Sequence, residues 1–322
     1  MPRYVVIGAG GIGGGVGGLL ARAGCAVELV ARGAHLAALQ RDGLRVRLPS
    51  GGFQESLPAW GHVHQVDWRP DDVVLLAVKC QDTLALVEEL RVAAPPSIRV
   101  LTLQNGLDSG DRVAAAFSTV ACGMVWVPAV HLVPGEVRLH GVPGPGVLVI
   151  GGWPQGAPDW VTAAAEDLVH AGFVVQVTDE IAPVLGGKFL TNLGGALQAL
   201  CGSGDGVWAH AQRVVDEGAR VLQAAGVPVL PVAELLAGPC GDVGVAPVDG
   251  HDREGGSTHQ SLARGSSLET GELNGLVVRL GRRLGLPTPL NDRVCDEMDA
   301  AVAEGRGAGE TPLDVLESTD RG

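Results

Sequence analysis

The 322-residue chain lacks several features that mark other classes of protein. No apolar run approaches the roughly 20 residues that a membrane-crossing helix needs, since stretches such as Val73–Val78 are short and end at polar residues. The N-terminus has neither the hydrophobic region nor the small-residue cleavage site of a signal peptide. The six cysteines form no CxxC pair, which fits reduced thiols better than a disulfide framework. We therefore expect a soluble, cytoplasmic protein without membrane contact.

Positive charge is also scarce. The chain has 23 Lys and Arg against 36 Asp and Glu, a formal charge of −13, so a polynucleotide would be repelled at long range. We expect no nucleic-acid partner, although a small anion needs only a local cluster of donors. The pair His62 and His64 has no evident third metal ligand, so no metal is expected. No Gly-x-Ser-x-Gly elbow is present, which removes the simplest serine-hydrolase reading.

The first half of the chain alternates strand-like apolar runs with helical stretches, a pattern typical of a parallel sheet covered by helices. The predicted strands are Tyr4–Ile7, Ala26–Ala31, Val73–Val78 and Val100–Leu103. Between the second and third of them, Leu44–Leu57 and His62–Val66 are predicted to be short extended pieces of a hairpin insertion.

The pattern changes twice beyond residue 120. From Val120 to Ile150, prolines and glycines punctuate β-rich segments, which predicts antiparallel strands that extend the sheet. A helix near Asp159–Ala171 and a strand at Phe173–Val177 follow. Beyond Asp179 the strands are expected to stop, and helices are predicted near Ile181–Leu200, Ala209–Ala225 and Leu268–Leu284. The glycine-rich Gly238–Gly256 is expected to be mobile.

A glycine motif follows the first strand directly. Gly8-Ala9-Gly10-Gly11-Ile12-Gly13 is a GxGxxG that leads into a helical segment, where glycines permit a tight turn, a close approach of pyrophosphate and close helix–strand packing. A flexible loop is the alternative in a chain with 49 glycines. The strand–turn–helix context favours an α/β fold with an N-terminal Rossmann-type dinucleotide-binding domain over residues 1–179. A C-terminal all-helical domain over 180–305 and a flexible tail over 306–322 complete this interpretation.

The end of the second strand indicates which dinucleotide is bound. NAD sites usually carry an acidic residue there for the ribose 2′-hydroxyl, whereas this chain has Arg32 just after Ala31. An arginine suits the 2′-phosphate of NADP(H), and Glu28 lies too early on the strand to be the ribose ligand. The alternative is that Arg32 is an ordinary solvated loop residue.

Polar residues mark further candidate sites. Lys79 and Asn105 each follow a predicted strand, at the edge where open α/β sheets bind ligands, although a solvated lysine and a simple turn would look the same. Lys188 and Asn192 stand four residues apart on one face of a predicted helix. With apolar neighbours, Lys188 either extends to solvent or is held in a cleft with its ammonium directed at an anion or carbonyl.

Taken in order, these motifs resemble the ketopantoate reductase (2-dehydropantoate 2-reductase) family from about residue 3 to residue 292. The resemblance rests on the glycine turn, Arg32, Val-Lys-Cys-Gln at 78–81, Gln-Asn-Gly at 104–106, Gly-Lys-Phe-Leu-Thr-Asn at 187–192, Ser257-Thr-His-Gln-Ser-Leu, Leu268-Glu269 and Leu273-Asn274-Gly275. It implies an NADPH-dependent reductase that converts a 2-oxo acid to a 2-hydroxy acid in a cleft between the two domains. It also implies a possible homodimer.

The resemblance assigns roles to single residues. Lys188 corresponds to the family's catalytic lysine, Glu269 to its active-site glutamate, and Asn105 to an asparagine that positions the cofactor and the lysine. Asn192 and Ser257 correspond to substrate-binding positions. A helix N-terminal acid is the alternative reading of Glu269.

The chain departs from the family pattern at the substrate end. Ala196 replaces a second asparagine, Ser261 replaces an aspartate, and Leu268-Glu269-Thr270-Gly271 replaces Thr-Glu-Ile-Asp. Such losses can change substrate discrimination by orders of magnitude. A reductase of another oxo acid or dicarbonyl, an opine-type dehydrogenase that joins an amino acid to an oxo acid, and a non-catalytic NADP(H)-binding sensor therefore stay open as alternatives.

Overall fold

The computed structural model describes residues 2–317, which form two compact units. The first unit contains the chain up to Leu185 together with Ala233–Arg253. The second contains Gly186–Val232 and the chain from Glu254 onward. The units thus divide within a helix rather than at residue 179, and a later segment returns to the first unit. The domain limits given by the sequence stay a prediction.

The strands lie mainly in the first 180 residues. They are β1 Arg3–Ile7, β2 Ala26–Val30, β3 Leu44–Leu48, β4 Gly51–Glu55, β5 Ala59–Trp60, β6 Val73–Leu76, β7 Arg99–Thr102, β8 Thr119–Trp126, β9 Ala129–Val130, β10 Glu136–Leu139, β11 Gly141–Val142, β12 Val147–Gly152, β13 Val174–Val177 and β14 Gly244–Val245.

The helices alternate with these strands and then continue alone. They are α1 Gly11–Arg22, α2 Gly33–Asp42, α3 Thr83–Ala93, α4 Ser109–Ala114, α5 Asp159–His170, α6 Ile181–Cys201, α7 Asp205–Ala224, α8 Val232–Ala237, α9 Ser257–Ala263, α10 Asn274–Leu284, α11 Pro289–Glu304 and α12 Leu313–Glu317.

Within the described residues, the main sheet has eight strands in the order β13-β12-β8-β7-β6-β1-β2-β5. Strands β1, β2, β5, β6, β7 and β8 run parallel, with Ile7 opposite both Val30 and Leu76. Strand β12 pairs antiparallel with β8, and β13 pairs parallel with β12. The predicted parallel sheet and its antiparallel extension are both confirmed.

Both faces of the main sheet are buried, as a parallel sheet requires. Alternate residues of β1 point to opposite faces, so Tyr4 and Val6 join the core beneath α1 and α5, while Val5 and Ile7 join the core beneath α3 and α4. A smaller sheet, β4-β3-β10-β9, covers the outer side of α1. The helix that follows the glycine motif therefore lies between two sheets.

A buried polar network ties the helices of the second unit together. The Asn274 side-chain amide donates to Leu193 O and to Asn291 Oδ1, and the Asn291 amide donates to Glu217 Oε1 and Val214 O. Glu217 is 2% exposed and both asparagines are fully buried. Buried polar groups need such partners, so this network fixes how α6, α7, α10 and α11 pack.

Among the helices of residues 2–317, none combines the length and the apolar character that a membrane span requires.

Two local predictions are wrong. His62–Val66 is not extended, because Val63–Gln65 forms a 3₁₀ turn in which Gln65 Oε1 accepts from the backbone N–H groups of Gly61 and His62. The predicted helix over Leu268–Leu284 begins six residues late, at Asn274. Its first part forms turns, where Thr270 O accepts from the Gly275 N–H, and the Asn274 side chain contacts α6 at the point where the helix begins.

Regular structure also occurs in the two segments that the sequence predicts to be mobile, and their mobility stays a prediction. The expected mobile segment Gly238–Gly256 contains β14, which pairs with β11, and Val248 exchanges backbone hydrogen bonds with His251. A strand thus occurs beyond Asp179. The tail predicted to be flexible contains α12, where Leu316 is 2% exposed and Val315 O accepts from Arg293. Residues 318–322 lie outside the described residues.

Candidate active site

The turn between β1 and α1 is shaped by three glycines with different roles. Gly8 has φ +95°, and its N–H donates to Val30 O over 3.0 Å, so a left-handed residue directs the chain out of the sheet. A Cβ at Gly8 would lie 2.7 Å from Val78 N. A Cβ at Gly13 would lie 2.2 Å from Gly8 O and 2.9 Å from Val6, so α1 packs against β1 at a distance that excludes any side chain.

Gly10 differs from these two glycines and gives the test of ligand fit. A Cβ at Gly10 would meet nothing within 4 Å, and its φ of −72° is open to any residue. Neither the fold nor the backbone therefore requires glycine at this position. A ligand that approaches the backbone does require it, and the middle glycine of a dinucleotide turn is the one over which the pyrophosphate passes. Gly11 and Ile12 lie in the first turn of α1, and the backbone N–H groups of such a turn are free of helix partners and can bind a phosphate. The residues present thus fit a dinucleotide.

The carboxyl end of β2 carries Arg32 and no available acid. Arg32 follows Ala31 directly, is exposed, and occupies the N-cap position of α2. Glu28 lies opposite Val5 in the middle of the sheet, where it accepts from Arg3 Nη1 over 2.5 Å and from Trp60 Nε1 over 2.7 Å. These two donors occupy its carboxylate oxygens, so Glu28 is not placed to bind a ribose. The structure brings Arg32, and not Glu28, to the edge that carries the glycine turn.

Lys79 and Asn105 follow the neighbouring strands β6 and β7 at the same edge of the main sheet. The Gln104 amide donates to Val78 O and to Thr83 Oγ1, both over 2.8 Å, and so ties the two strand ends together. Both Lys79 and Asn105 are half-buried. The glycine turn, Arg32, Lys79 and Asn105 therefore lie on one edge across four adjacent strands.

Among residues 2–317, no group of three or more His, Cys, Asp or Glu side chains is placed to hold a metal ion.

His35 also contacts the glycine turn, a role that no motif in the sequence indicates. In the first turn of α2, its Nε2 donates to Ala9 O over 2.7 Å, and its Nδ1 accepts from the Gly135 N–H over 2.9 Å. The ring of His131 lies edge-on at 4.3 Å between centroids. Burial and the neighbouring His131 lower the pKa of His35 to about 4, so the ring is neutral at physiological pH.

This lowered pKa predicts a pH dependence of stability. The unfolded chain takes up a proton at its ordinary histidine pKa of about 6.5, whereas the folded chain does so near pH 4, so the contribution of His35 is full above about pH 6.5 and is lost as the pH falls toward 4. After allowance for solvent screening, the free energy of unfolding should fall by about 1–3 kcal/mol over this pH range because of His35. Urea unfolding of wild type and His35→Gln should show their difference in free energy of unfolding shrinking over this range. A constant difference would contradict the assignment.

The second unit holds Lys188 and Asn192 together on α6. Lys188 Nζ donates to Asn192 Oδ1 over 3.1 Å, and both residues are half-buried. The helix reaches this point through Gly186 and Gly187, where a Cβ would lie 2.3 Å from Pro228 O and 2.4 Å from Leu230 O. The segment of residues 228–230 therefore packs against the helix just before Lys188. This packing restrains the part of α6 that carries the lysine.

Asn192 presents a buried donor without an acceptor. Its Nδ2 is buried, and none of the residues 2–317 accepts a hydrogen bond from it. Leaving such a donor unsatisfied costs about 1–3 kcal/mol, so native structures rarely retain one without a reason. A carbonyl or carboxylate of a ligand would satisfy it. The pair on α6 therefore has the arrangement expected where an anionic substrate binds.

The remaining predicted residues, Ser257 and Glu269, lie on later segments of the second unit. Ser257 is the first residue of α9, and the adjacent Thr258 Oγ1 lies 3.9 Å from the Cβ position of Gly195, one turn after Asn192. Glu269 is half-buried, and its carbonyl accepts from Leu273 N–H just before α10 begins. Thr258, beside Ser257, thus lies close to the helix that carries Lys188, and Glu269 lies five residues before Asn274, which donates to Leu193 O of that helix.

The departures from the family pattern lie in the same helical unit. Ala196 is 2% exposed and Ser261 is 7% exposed, so both positions are interior. Thr270 is also buried, and no residue within 2–317 bonds its Oγ1.

The composition of the chain also directs attention to two of the predicted site residues. Of the 23 Lys and Arg residues in the chain, two are lysines, Lys79 and Lys188, and all the others are arginines. An arginine supplies charge but does not give up a proton, whereas a lysine can do both. A chain that uses arginine everywhere else therefore draws attention to both lysines.

The fold and the glycine turn define the class of protein: a Rossmann-type dinucleotide-binding protein with a helical second unit. Two family models match the sequence, Ketopantoate reductase PanE/ApbA over residues 4–155 and Ketopantoate reductase PanE/ApbA C terminal over residues 192–302. The chain belongs to the ketopantoate reductase family. It is accordingly an oxidoreductase that acts on CH–OH groups, with a nicotinamide dinucleotide as cofactor.

Individual relatives agree with this assignment. A 2-dehydropantoate 2-reductase from Halobacterium salinarum is 31% identical over 315 residues, which covers 94% of this chain and 100% of the relative. The crystal structure of a PanE/ApbA family ketopantoate reductase from Ralstonia eutropha JMP134 is 32% identical and superposes with a TM-score of 0.78, covering 94% of this chain and 100% of that one. D-mandelate dehydrogenase, solved with NADH and anilino(oxo)acetate, shares the fold at 20% identity with a TM-score of 0.80, covering 94% of this chain and 99% of that one.

Proposed function

We propose that the chain reduces the 2-oxo group of a small 2-oxo acid to a 2-hydroxy acid with NADPH, ketopantoate being the leading candidate substrate. The observation that carries this proposal is the pair on α6, where a lysine ammonium is held by an asparagine whose own buried amide has no acceptor within residues 2–317. Family membership supports it, because relatives of this length and identity are named 2-dehydropantoate 2-reductases.

The chemistry follows from what these groups can do. Bound NADPH supplies a hydride, and hydride addition to a carbonyl turns its oxygen into an alkoxide. In this proposal Lys188 polarises the carbonyl, stabilises the negative charge on its oxygen and gives that oxygen a proton. Asn192 Oδ1 orients the ammonium, and Asn192 Nδ2 donates to the substrate. Ser257 and Glu269 bind other substrate oxygens, and Lys79 and Asn105 hold the cofactor.

The test is NADPH oxidation across a panel of 2-oxo acids that includes ketopantoate and branched, unbranched and aromatic side chains. We expect saturable turnover with at least one member and the corresponding 2-hydroxy acid as product. NADPH binding without turnover on any member would favour the non-catalytic sensor, and turnover that needs an added amino acid would favour the opine-type reaction.

We further propose that Arg32 selects NADP(H) over NAD(H) by binding the 2′-phosphate. Two observations support this role: the position of Arg32 two residues after the end of β2, and the hydrogen bonds that Glu28 accepts from Arg3 and Trp60. In Arg32→Ser we expect KM for NADPH to rise about 10–100-fold, because one charge-assisted hydrogen bond to the cofactor is lost. KM for NADH should change less than about threefold.

The control for this experiment is Arg41→Ser. Arg41 lies at the far end of the same helix, where it pairs with Asp42 on the surface. It should leave both KM values unchanged. An Arg32→Ser enzyme that loses NADPH and NADH affinity by the same factor would contradict the proposal.

A second candidate function is the reduction of a different oxo acid or dicarbonyl compound. The observation that favours it is Ala196, which lies one turn after Asn192 and is buried, so this position offers a methyl group and no hydrogen bond. A substrate with an apolar group in place of a hydroxyl would fit such a position better. In the panel above, this alternative predicts a higher kcat/KM for a 2-oxo acid without a side-chain hydroxyl than for ketopantoate.

A further inference from the structure

We propose that His35 is a positioning residue for the phosphate-binding turn, and that it acts by fixing the peptide between Ala9 and Gly10. The proposal rests on the proposed use of a dinucleotide at this turn. His35 lies in α2, which follows β2, while the turn lies between β1 and α1. The histidine therefore joins two segments that are distant in sequence and meet at the edge of the sheet.

The contacts of the imidazole fix which nitrogen carries the proton. A backbone N–H can only donate, so the Gly135 N–H over 2.9 Å requires a lone pair on Nδ1. The neutral ring then carries its proton on Nε2, which donates to Ala9 O over 2.7 Å. A protonated ring would lose the Gly135 hydrogen bond. The burial that lowers the pKa of His35 acts in the same direction, so both hydrogen bonds persist at neutral pH.

The hydrogen bond to Ala9 O determines where a neighbouring donor points. A trans peptide is planar, with its C=O and N–H directed to opposite sides. The Ala9 C=O is held toward His35, so the Gly10 N–H is held away from it. Gly8 and Ala9 N–H both bond Val30 O and fix the preceding part of the turn. The peptide that follows is thus held by His35.

The turn that supplies Gly135 is itself held by backbone and packing contacts. Gly135 has φ +80°, its O accepts from the Arg45 N–H over 2.8 Å, and its Cβ position lies 3.0 Å from Ala38 of α2. His131, whose Nδ1 lies 3.0 Å from Glu136 O, packs edge-on against the His35 ring. His35 therefore rests on a fixed support, as a residue that positions another group must. Because the ring is neutral, His35 orients the backbone of the phosphate site without adding charge to it.

Two substitutions separate the two hydrogen bonds. His35→Gln places an amide N–H near the position of Nε2 and keeps the donor to Ala9 O, whereas His35→Asn reaches only the position of Nδ1 and loses it. His170→Asn, an exposed histidine at the end of α5, is the matched control. For each full-length protein we would measure the Kd of NADPH by fluorescence, kcat at saturating NADPH, and the free energy of unfolding in urea.

We expect His35→Gln and His170→Asn to bind NADPH within about threefold of wild type and His35→Asn to bind at least about tenfold more weakly, with kcat at saturation unchanged in all three. The loss in His35→Asn should also be independent of salt, since no charge is removed. Equal Kd values for the Gln and Asn variants would overturn the proposal. A wild type that binds no dinucleotide would instead overturn the proposed function.

A second measurement keeps the proposal testable if His35→Asn does not fold. In uniformly ¹⁵N-labelled wild-type protein, the ring of His35 should show the Nε2-protonated neutral form at pH 7, and the amide of Gly10 should shift on addition of NADP⁺. A His35 protonated on Nδ1 would overturn the proposal without any substitution.

Discussion

Lys188→Ala is expected to lower kcat about 10³-fold while the Kd of NADPH changes less than about threefold. The substitution removes both the positive charge beside the developing alkoxide and the proton donor, and these effects act in the transition state. The residues of the glycine turn are unchanged in this variant, because Lys188 lies on α6, where its Nζ donates to Asn192 Oδ1. Single-turnover reduction at saturating NADPH would measure the chemical step itself.

Two further variants show which property of Lys188 matters. Lys188→Arg keeps the charge but removes a group that can give up a proton near neutral pH, so we expect an intermediate loss of about 10²-fold. Thr191→Val removes a hydroxyl that donates to Lys188 O on the same turn of α6, and should stay within about threefold of wild type. A Lys188→Ala enzyme with kcat within about threefold of wild type would remove Lys188 from the mechanism.

The second large effect is expected at the glycine turn, where two alanine substitutions should separate folding from binding. In Gly13→Ala the new Cβ would lie 2.2 Å from Gly8 O and 2.9 Å from Val6 Cγ1, so α1 must move away from β1. We expect a loss of about 3 kcal/mol or more in free energy of unfolding and a rise of at least about 100-fold in the Kd of NADPH, because the overpacked helix no longer presents its N–H groups.

Gly10→Ala should behave in the opposite way. Its Cβ meets nothing within 4 Å and its φ is −72°, so the free energy of unfolding should be unchanged or slightly raised. The added methyl group would still occupy the space through which the pyrophosphate approaches, and we expect the Kd of NADPH to rise at least about tenfold. Urea unfolding and NADPH titration on the same samples would test both variants. Wild-type affinity in Gly10→Ala would mean that the dinucleotide does not pass over this turn.

The sequence predicted the parts of the fold that have a local signature. Buried parallel strands give continuous apolar runs, and the glycine spacing after β1 is itself the geometry of the turn, so both could be identified without coordinates. Glu28 could be excluded as the ribose ligand because it lies before the end of the second predicted strand. The chain-order pattern of short motifs was enough to indicate the family.

Features that depend on distant contacts could not be predicted in this way. No local pattern shows that β14 pairs with β11 about 100 residues earlier, or that the Asn274 side chain at the start of α10 contacts α6. His35 is a single polar residue early in a short helix, and its role depends on Ala9 and Gly135, one of them 100 residues away. The unsatisfied amide of Asn192 is likewise visible only once the helices are packed.

The composition of α1 has a consequence for how the phosphate site comes into being. Six of its twelve residues are glycine, each of which disfavours an isolated helix by about 1 kcal/mol relative to alanine. The excised segment would therefore be a random coil, and its helical form is imposed by the two sheets that enclose it. The site cannot be transplanted as a short peptide, and in the nascent chain it would come into existence after β10 has been synthesised and has joined β3.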